Sequence, residues 1–208
     1  LMTSATITDR LVALSRALIG RIRGGLAQVN VLVSMFFAGM NGSVVADTAT
    51  VGALVLPAMK KAGYPAAFSA AVTGVSSTIG GIIPPSIMMI VLANATEISI
   101  ASLFAAGIVP GILIGVVIMV INHYFAVKYN FERSDEPFSV RRAGKELYRS
   151  SFALLIPLVL VGSVMGGVAS VVEAGAITAL VALFTGVFVY RTIKWKDCTG
   201  AFRRAFRN

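Results

Sequence analysis

Charge is scarce in this sequence. Charged residues occupy 13% of the 208 positions and hydrophobic ones 57%, about half the charged fraction of a soluble domain. Too little polar surface is available to coat a water-soluble fold. Cysteine is confined to Cys198, which excludes an internal disulfide framework and supports no metal site by itself. The single histidine, His123, lies far along the chain from Ser43 and Asp47, so no nucleophile–base pairing is legible. Phosphate-cradling glycine loops and ATPase motifs are absent, and Asp47 has no second acid beside it to make an intramembrane protease dyad. The reading is therefore of a protein that is not an enzyme and carries no cofactor. No signal peptide is visible, and the chain opens at Leu1-Met2 within what reads as a continuing element, as a fragment lacking its true start would.

What charge there is falls in short segments, with only Asp47 and Glu173 well inside apolar stretches. The net charge of +9 comes from basic blocks between apolar runs, without the interleaved aromatics of a nucleic-acid platform. It is read as membrane topology, with the lipid bilayer and not nucleic acid as the partner.

Residues 8–23 place Leu11, Leu14, Leu18, Ile19 and Ile22 at helical spacing among Arg10, Arg16, Arg21 and Arg23. Residues 1–25 thus read as an amphipathic interfacial helix and connector on the cytoplasmic membrane face. Residues 26–40 are mostly apolar but make only about 22 Å of helix, short of a hydrocarbon core of about 30 Å. Asn41-Gly42-Ser43 follows, then a second short apolar arm carrying Asp47 and ending at Lys60-Lys61. Two short arms, a polar tip and basic outer ends predict a re-entrant hairpin over residues 26–61.

Residues 66–93 would form one long span, but Gly80-Gly81-Ile82-Ile83-Pro84-Pro85-Ser86 interrupts it: two prolines remove backbone donors and two glycines loosen the preceding turn. Residues 64–127 read as this broken helix plus a long transmembrane helix, and 128–150 as a charged cytoplasmic loop. Residues 151–190 read as two transmembrane helices turning near 166–173, and 191–208 as a basic cytoplasmic tail. Keeping every basic region inside requires an even number of crossings between neighbours, which this assignment satisfies. The fold class expected is an all-α polytopic membrane protein.

Unwound backbone at membrane depth is tolerated only where it is buried in protein or lines a cavity, and secondary transporters build their sites from such interruptions. Asn41, Gly42, Ser43, Asp47, Gly80, Gly81, Pro84, Pro85 and Ser86 are therefore the candidate sodium- and substrate-binding residues. Freed carbonyls and the Asn41 and Ser43 side chains suit sodium, with Asn41, Ser43 and Gly80 as metal candidates, and half-helix N-termini suit carboxylates. Asp47 either balances charge there or caps the second arm. Small residues such as Gly39, Gly74 and Ser77 have the plainer reading of helix packing, and Glu173 that of a cap for the following helix.

The ordered motifs Gly24-Gly25-Leu26-Ala27-Gln28-Val29-Asn30, Phe37-Ala38-Gly39-Met40-Asn41-Gly42-Ser43-Val44-Val45-Ala46-Asp47, Ser76-Ser77-Thr78-Ile79-Gly80-Gly81-Ile82-Ile83-Pro84-Pro85-Ser86 and Leu103-Phe104-Ala105-Ala106-Gly107-Ile108-Val109-Pro110-Gly111 resemble the large membrane subunit of tripartite ATP-independent periplasmic (TRAP) transporters. The resemblance covers essentially the whole chain. It implies the DctM-like N-terminal half, without its first membrane helices, of an inverted-repeat, elevator-type permease in a bacterial or archaeal cytoplasmic (inner) membrane. It further implies sodium-driven uptake of acidic organic solutes such as C4-dicarboxylates, keto acids or sialic acids. The implied partners are a small membrane subunit and a periplasmic solute-binding protein. By motif match, Asn41, Gly42 and Ser43 fall on the family's hairpin tip, where a sodium site forms with the broken helix at 80–86. Two departures stand out: Asn41-Gly42-Ser43 replaces the common Ser-Gly-Ser, and Gly80-Gly81 replaces Gly-Pro. Two other readings stay open, a sodium–dicarboxylate cotransporter that works without a binding protein and a non-transporting membrane assembly module.

Overall fold

The computed structural model describes residues 6–19, 22–131 and 139–186, and every regular element among them is helical. In chain order these are α1 (Thr6–Ile19), α2 (Gly25–Asn41), α3 (Val44–Lys61), α4 (Ala66–Ser77), a 3-10 turn (Thr78–Gly81), α5 (Ile87–Thr96), α6 (Ile100–Lys128), α7 (Val140–Met165) and α8 (Val171–Phe184). The tail at 191–208 lies outside the described residues.

At the centre stands α2. Ala27, Gln28, Val29, Asn30, Val31, Val33, Ser34, Phe37 and Ala38 are all buried, a run that leaves no helical face free. Accordingly α2 packs against α1, α3, α4, α6 and α7, as a helix apolar all round must. With α3 it forms an antiparallel hairpin whose far ends meet where Asn30 Nδ2 lies 3.7 Å from Met59 Sδ.

The long helix α6 divides into two faces. Gly107, Gly111, Gly115, Ile118, Asn122 and Ala126 are buried, whereas Val109, Leu113, Val117, Val120 and Tyr124 are exposed. That is the reverse of a soluble surface, where exposed apolar patches are small. Only α6 and α7 among the described helices are long and apolar enough to cross a membrane by length and composition. The glycines let neighbours approach: a Cβ on Gly107 would stand 2.5 Å from Ile82 O, one on Gly115 2.6 Å from Met35 Sδ, and one on Gly111 would collide with Ile83 Cγ1.

Two elements depart from the sequence reading. Of the apolar residues read as an interfacial stripe, Leu11, Leu14 and Ile19 are buried, with α1 packed against α2 and α7, while Leu18 and Ile22 remain exposed. Arg10 Nη1 donates to Arg149 O at 2.9 Å, and Ser150 Oγ to Arg10 O at 3.3 Å, fixing α1 on α7. The second departure is that α7 begins at Val140, inside the segment read as a loop. Charged residues ended the apolar run at 151 but not the helix, because residues 140–150 contain no proline and charged side chains are good helix formers. A Glu146–Arg149 pair at 3.2 Å spans one turn. Residues 166–170 turn the chain into α8, where Ser170 and Glu173 make a capping box, Ser170 N donating to Glu173 Oε2 at 2.8 Å.

Candidate functional site

The tip of the α2–α3 hairpin is two residues long. Gly42 takes the left-handed conformation (φ +58°) and donates its N–H to Ala38 O at 3.2 Å, closing α2. Ser43 is extended (φ −132°), and its Oγ accepts from Ala46 N at 3.4 Å, opening α3. Asn41 ends α2; its side chain lies outside the described residues.

The break between α4 and α5 has the same ending. After the 3-10 turn, Ile82 N and Ile83 N both donate to Ile79 O at 2.9 Å, and the chain passes through a cis Pro84–Pro85 bond. Ser86, extended (φ −112°), caps α5 by accepting from Met89 N at 3.4 Å while its Oγ donates to Gly81 O at 2.8 Å.

These two irregular segments touch. Ile87 N donates to Gly42 O at 3.1 Å. A Cβ on Gly42 would run into Pro85 O and stand 3.1 Å from Ser86 Cα, while Gly80 lies against the Ser43 carbonyl and Gly81 against Val44. The structure thus brings Gly42, Ser43, Gly80, Gly81, Pro85 and Ser86 together, with Pro84 buried behind them. Two serine-capped N-termini, those of α3 and α5, meet there beside the C-terminus of α2. N-termini carry partial positive charge and favour anions, whereas terminal carbonyls favour cations, so one junction offers both kinds of ligand.

One turn into α3, Asp47 is fully buried at 0% exposure. It stands in the first turn of α3, where a carboxylate complements the positive end of the helix, and its carboxyl group faces the Ser77 and Ser34 side chains. Sequence reasoning missed the surroundings. Asn30 and Ser34 on α2 and Ser69, Thr73, Ser76 and Ser77 on α4 are all buried and form a polar file between the helices. Asn30 Nδ2 donates to Thr73 Oγ1 at 2.7 Å, Ser76 Oγ to Asn30 Oδ1 at 3.2 Å, and Ser34 Oγ lies 3.2 Å from Ser76 Oγ. The signal was present as polar residues recurring at three- and four-residue spacing on both helices; of these only Ser77 was singled out, with packing as its plainer reading. His123 is exposed, remote from this file, and no group of three His, Cys, Asp or Glu that could hold a metal occurs among the described residues.

Comparison with known proteins gives a single answer. The family model described as "Tripartite ATP-independent periplasmic transporter, DctM component" matches residues 1–207. The C4-dicarboxylate TRAP transporter large permease protein DctM of Pseudomonas aeruginosa is 36% identical over 197 residues, covering 95% of this chain and 46% of its own length. The sialic acid TRAP transporter large permease protein SiaM of Vibrio cholerae is 35% identical over 93% of this chain and 45% of its own length. For the 2,3-diketo-L-gulonate TRAP transporter large permease protein YiaN of Escherichia coli the figures are 35%, 92% and 45%. The chain therefore spans a little under half the length of these relatives.

Proposed function

The chain belongs to the DctM component family of tripartite ATP-independent periplasmic transporters, and from that premise we propose that it is part of a sodium-coupled permease importing acidic organic solutes by an elevator movement. The full protein would work with a small membrane subunit and a periplasmic solute-binding protein in the cytoplasmic membrane of a bacterium or archaeon. Its relatives are named for C4-dicarboxylate, sialic acid and diketogulonate; an acidic group is common to all three.

The observation that carries this reading is the junction at which Gly42 O accepts Ile87 N and two capped helix N-termini converge. On this reading α2 and α3 are a re-entrant hairpin, and α4, the 3-10 turn and α5 a broken membrane helix. The exposed apolar face of α6 meets lipid, α7 and α8 supply scaffold, and the charged first turns of α7 stand in the cytoplasm. Sodium is held by the Ser43 hydroxyl, Asn41 and carbonyls of the 80–85 segment, and the substrate carboxylate is drawn by the N-termini of α3 and α5. Each ligand neutralises the field that the other leaves uncompensated. Sodium therefore raises substrate affinity, and substrate raises sodium affinity by the same factor.

The test is uptake of radiolabelled organic acids into proteoliposomes holding the full-length protein and its small subunit, with and without binding protein and sodium. Uptake needing both, and lost on Ser43→Ala, supports the proposal. Uptake without the binding protein would replace it with a cotransporter reading, and no uptake of any acid would overturn it.

A further inference from the structure

Helices α3 and α6 end in the same way, and they end together. In α3 the last turn carries Lys60 and Lys61, Gly63 turns left-handed (φ +79°), and Tyr64 N donates back to Met59 O at 3.1 Å. In α6 the last turn carries Lys128, Asn130 turns left-handed (φ +51°), and Phe131 N donates back to Ala126 O at 2.9 Å. A hydrogen bond across a left-handed residue reverses the chain at a helix end, and each reversal here lays an aromatic ring on the end of the other helix. Tyr64 and Phe131 meet with ring centroids 4.7 Å apart. Phe68 lies 5.1 Å from Phe131 and 6.2 Å from Phe125, and Phe125 lies 6.0 Å from Tyr129. The rings form a fixed floor that brings three lysines from distant parts of the chain to one end of the bundle.

Their charge is not neutralised inside the protein. Lys60, Lys61 and Lys128 are exposed, and none makes an ion pair among the described residues. The Lys128 ammonium stands 5.8 Å over the Tyr129 ring, a contact that orients a cation without cancelling its charge. The plain role of lysines in a last turn is to offset the helix C-terminus, but each C-terminus supplies only about half a negative charge, so two of them leave about two of the three positive charges uncompensated. No Asp or Glu occurs in residues 48–96 or 98–131, and Glu132 and Arg133, next along the chain, cancel one another in formal charge.

The surface beside the lysines identifies what they meet. Val120, Tyr124 and Val127 are exposed and carry the bare apolar face of α6 up to Lys128 without a gap. The lysines therefore begin where that face stops, at the depth of lipid headgroups. A phosphate diester held there, with its acyl chains along α6, meets ammonium groups and rings of the kind found at that depth. An acidic protein segment would match the charge but leave the adjoining apolar face bare.

We propose that Lys60, Lys61 and Lys128, on this aromatic floor, bind the phosphate headgroup of an anionic phospholipid in the cytoplasmic leaflet. The site rests on the membrane placement proposed above and not on sodium coupling. Because α3 runs from these lysines to the hairpin tip, the bound lipid tethers the body that holds the junction to one face of the membrane.

The experiment counts lipids retained by the full-length protein with its small subunit, by native mass spectrometry after release from nanodiscs of equal parts phosphatidylglycerol and phosphatidylcholine. Wild type is expected to retain one phosphatidylglycerol per complex, at an occupancy that Lys60→Gln/Lys61→Gln/Lys128→Gln lowers at least about tenfold. Replacing the same three lysines by arginine should keep it, and Arg141→Gln with Lys145→Gln, which removes charge from α7, should leave it in place. If the triple variant does not fold, Lys128→Gln alone and Lys60→Gln with Lys61→Gln decide by the same count. Equal retention by wild type and the glutamine variants would overturn the site, as would phosphatidylcholine held equally well. Release of the lipid by equimolar inorganic phosphate would overturn the lipid assignment in favour of the free ion. A protein that does not enter nanodiscs would overturn the membrane placement and the site with it. Selective retention with no solute uptake would support the site and count against the transport reading alone.

Discussion

Replacing Gly42 by alanine perturbs the junction with a single methyl group, and its cost can be worked from two separate terms. The left-handed conformation at φ +58° costs a residue with a Cβ about 1–2 kcal/mol. The new Cβ also meets Pro85 O, a backbone atom between two rigid segments that cannot swing aside as a side chain would. Relieving that overlap means parting the hairpin tip from the 84–87 segment, which removes the Ile87 N to Gly42 O bond. Losing a buried backbone pair adds about 1–3 kcal/mol. Together the terms come to about 2–5 kcal/mol, or roughly thirty-fold to several thousand-fold in the population of the closed junction. Gly63→Ala is the control: its φ of +79° imposes the first term, but nothing stands within 4 Å of its Cβ. In proteoliposomes made with the full-length protein and its partners, Gly42→Ala should lose sodium-dependent uptake while Gly63→Ala retains it at slightly lower thermal stability. Equal uptake by both, within twofold of wild type, would refute the claim that junction closure matters.

Three further outcomes follow from packing. Asn30→Ala removes one hydrogen bond each from Thr73 and Ser76, which keep Ser69 O and Thr73 O, and should lower stability by about 1–3 kcal/mol, read as a depressed unfolding temperature in detergent, whereas Asn30→Asp, which buries a carboxylate that cannot donate to Thr73, should cost at least as much. Gly111→Val drives a side chain into Ile83 and should displace the broken segment from α6, seen as faster proteolysis between α4 and α5 and reduced uptake, with about 1–3 kcal/mol of overpacking. Tyr64→Ala removes a buried ring tilted against Phe131 at 4.7 Å and stacked on Phe68 at 6.3 Å; a loss of about 3–5 kcal/mol is expected, while Tyr64→Phe should keep most of the stability.

Interruptions were the most legible part of the chain. Gly42 and Ser43 mark the turn because glycine tolerates positive φ and serine caps helices, and Pro84-Pro85 cannot continue α4. Glu173 was readable as a cap from its spacing after Ser170, and the capping box is present. Burial was much less legible. Asn30, Ser34 and Ser76 look like isolated small polar residues in the sequence, because the partner that satisfies each lies on another helix more than forty positions away. Apolarity also misled at α7, since hydropathy reports the medium around a helix and not its hydrogen bonding, and the charged turns from Val140 continue the same helix. For α1 the periodicity was visible, but an apolar stripe does not say whether protein or lipid covers it.

The file of hydrogen bonds that joins α2 to α4 stands in contrast to the contact between α2 and α7, where a Cβ on Gly39 would stand 3.3 Å from Pro157 Cβ and Phe37, Ala38, Ala153 and Ile156 belong to one apolar cluster. Hydrogen bonds have a register: displacing one by a few ångströms breaks it before another can form. Dispersion contacts have almost none, since a small apolar side chain sliding along a neighbour exchanges each lost contact for a similar one. The molecule is therefore mechanically anisotropic, stiff in shear along the α2–α4 boundary and compliant along the α2–α7 boundary. Force applied to the hairpin would carry α4 with it and spend itself as slippage against α7.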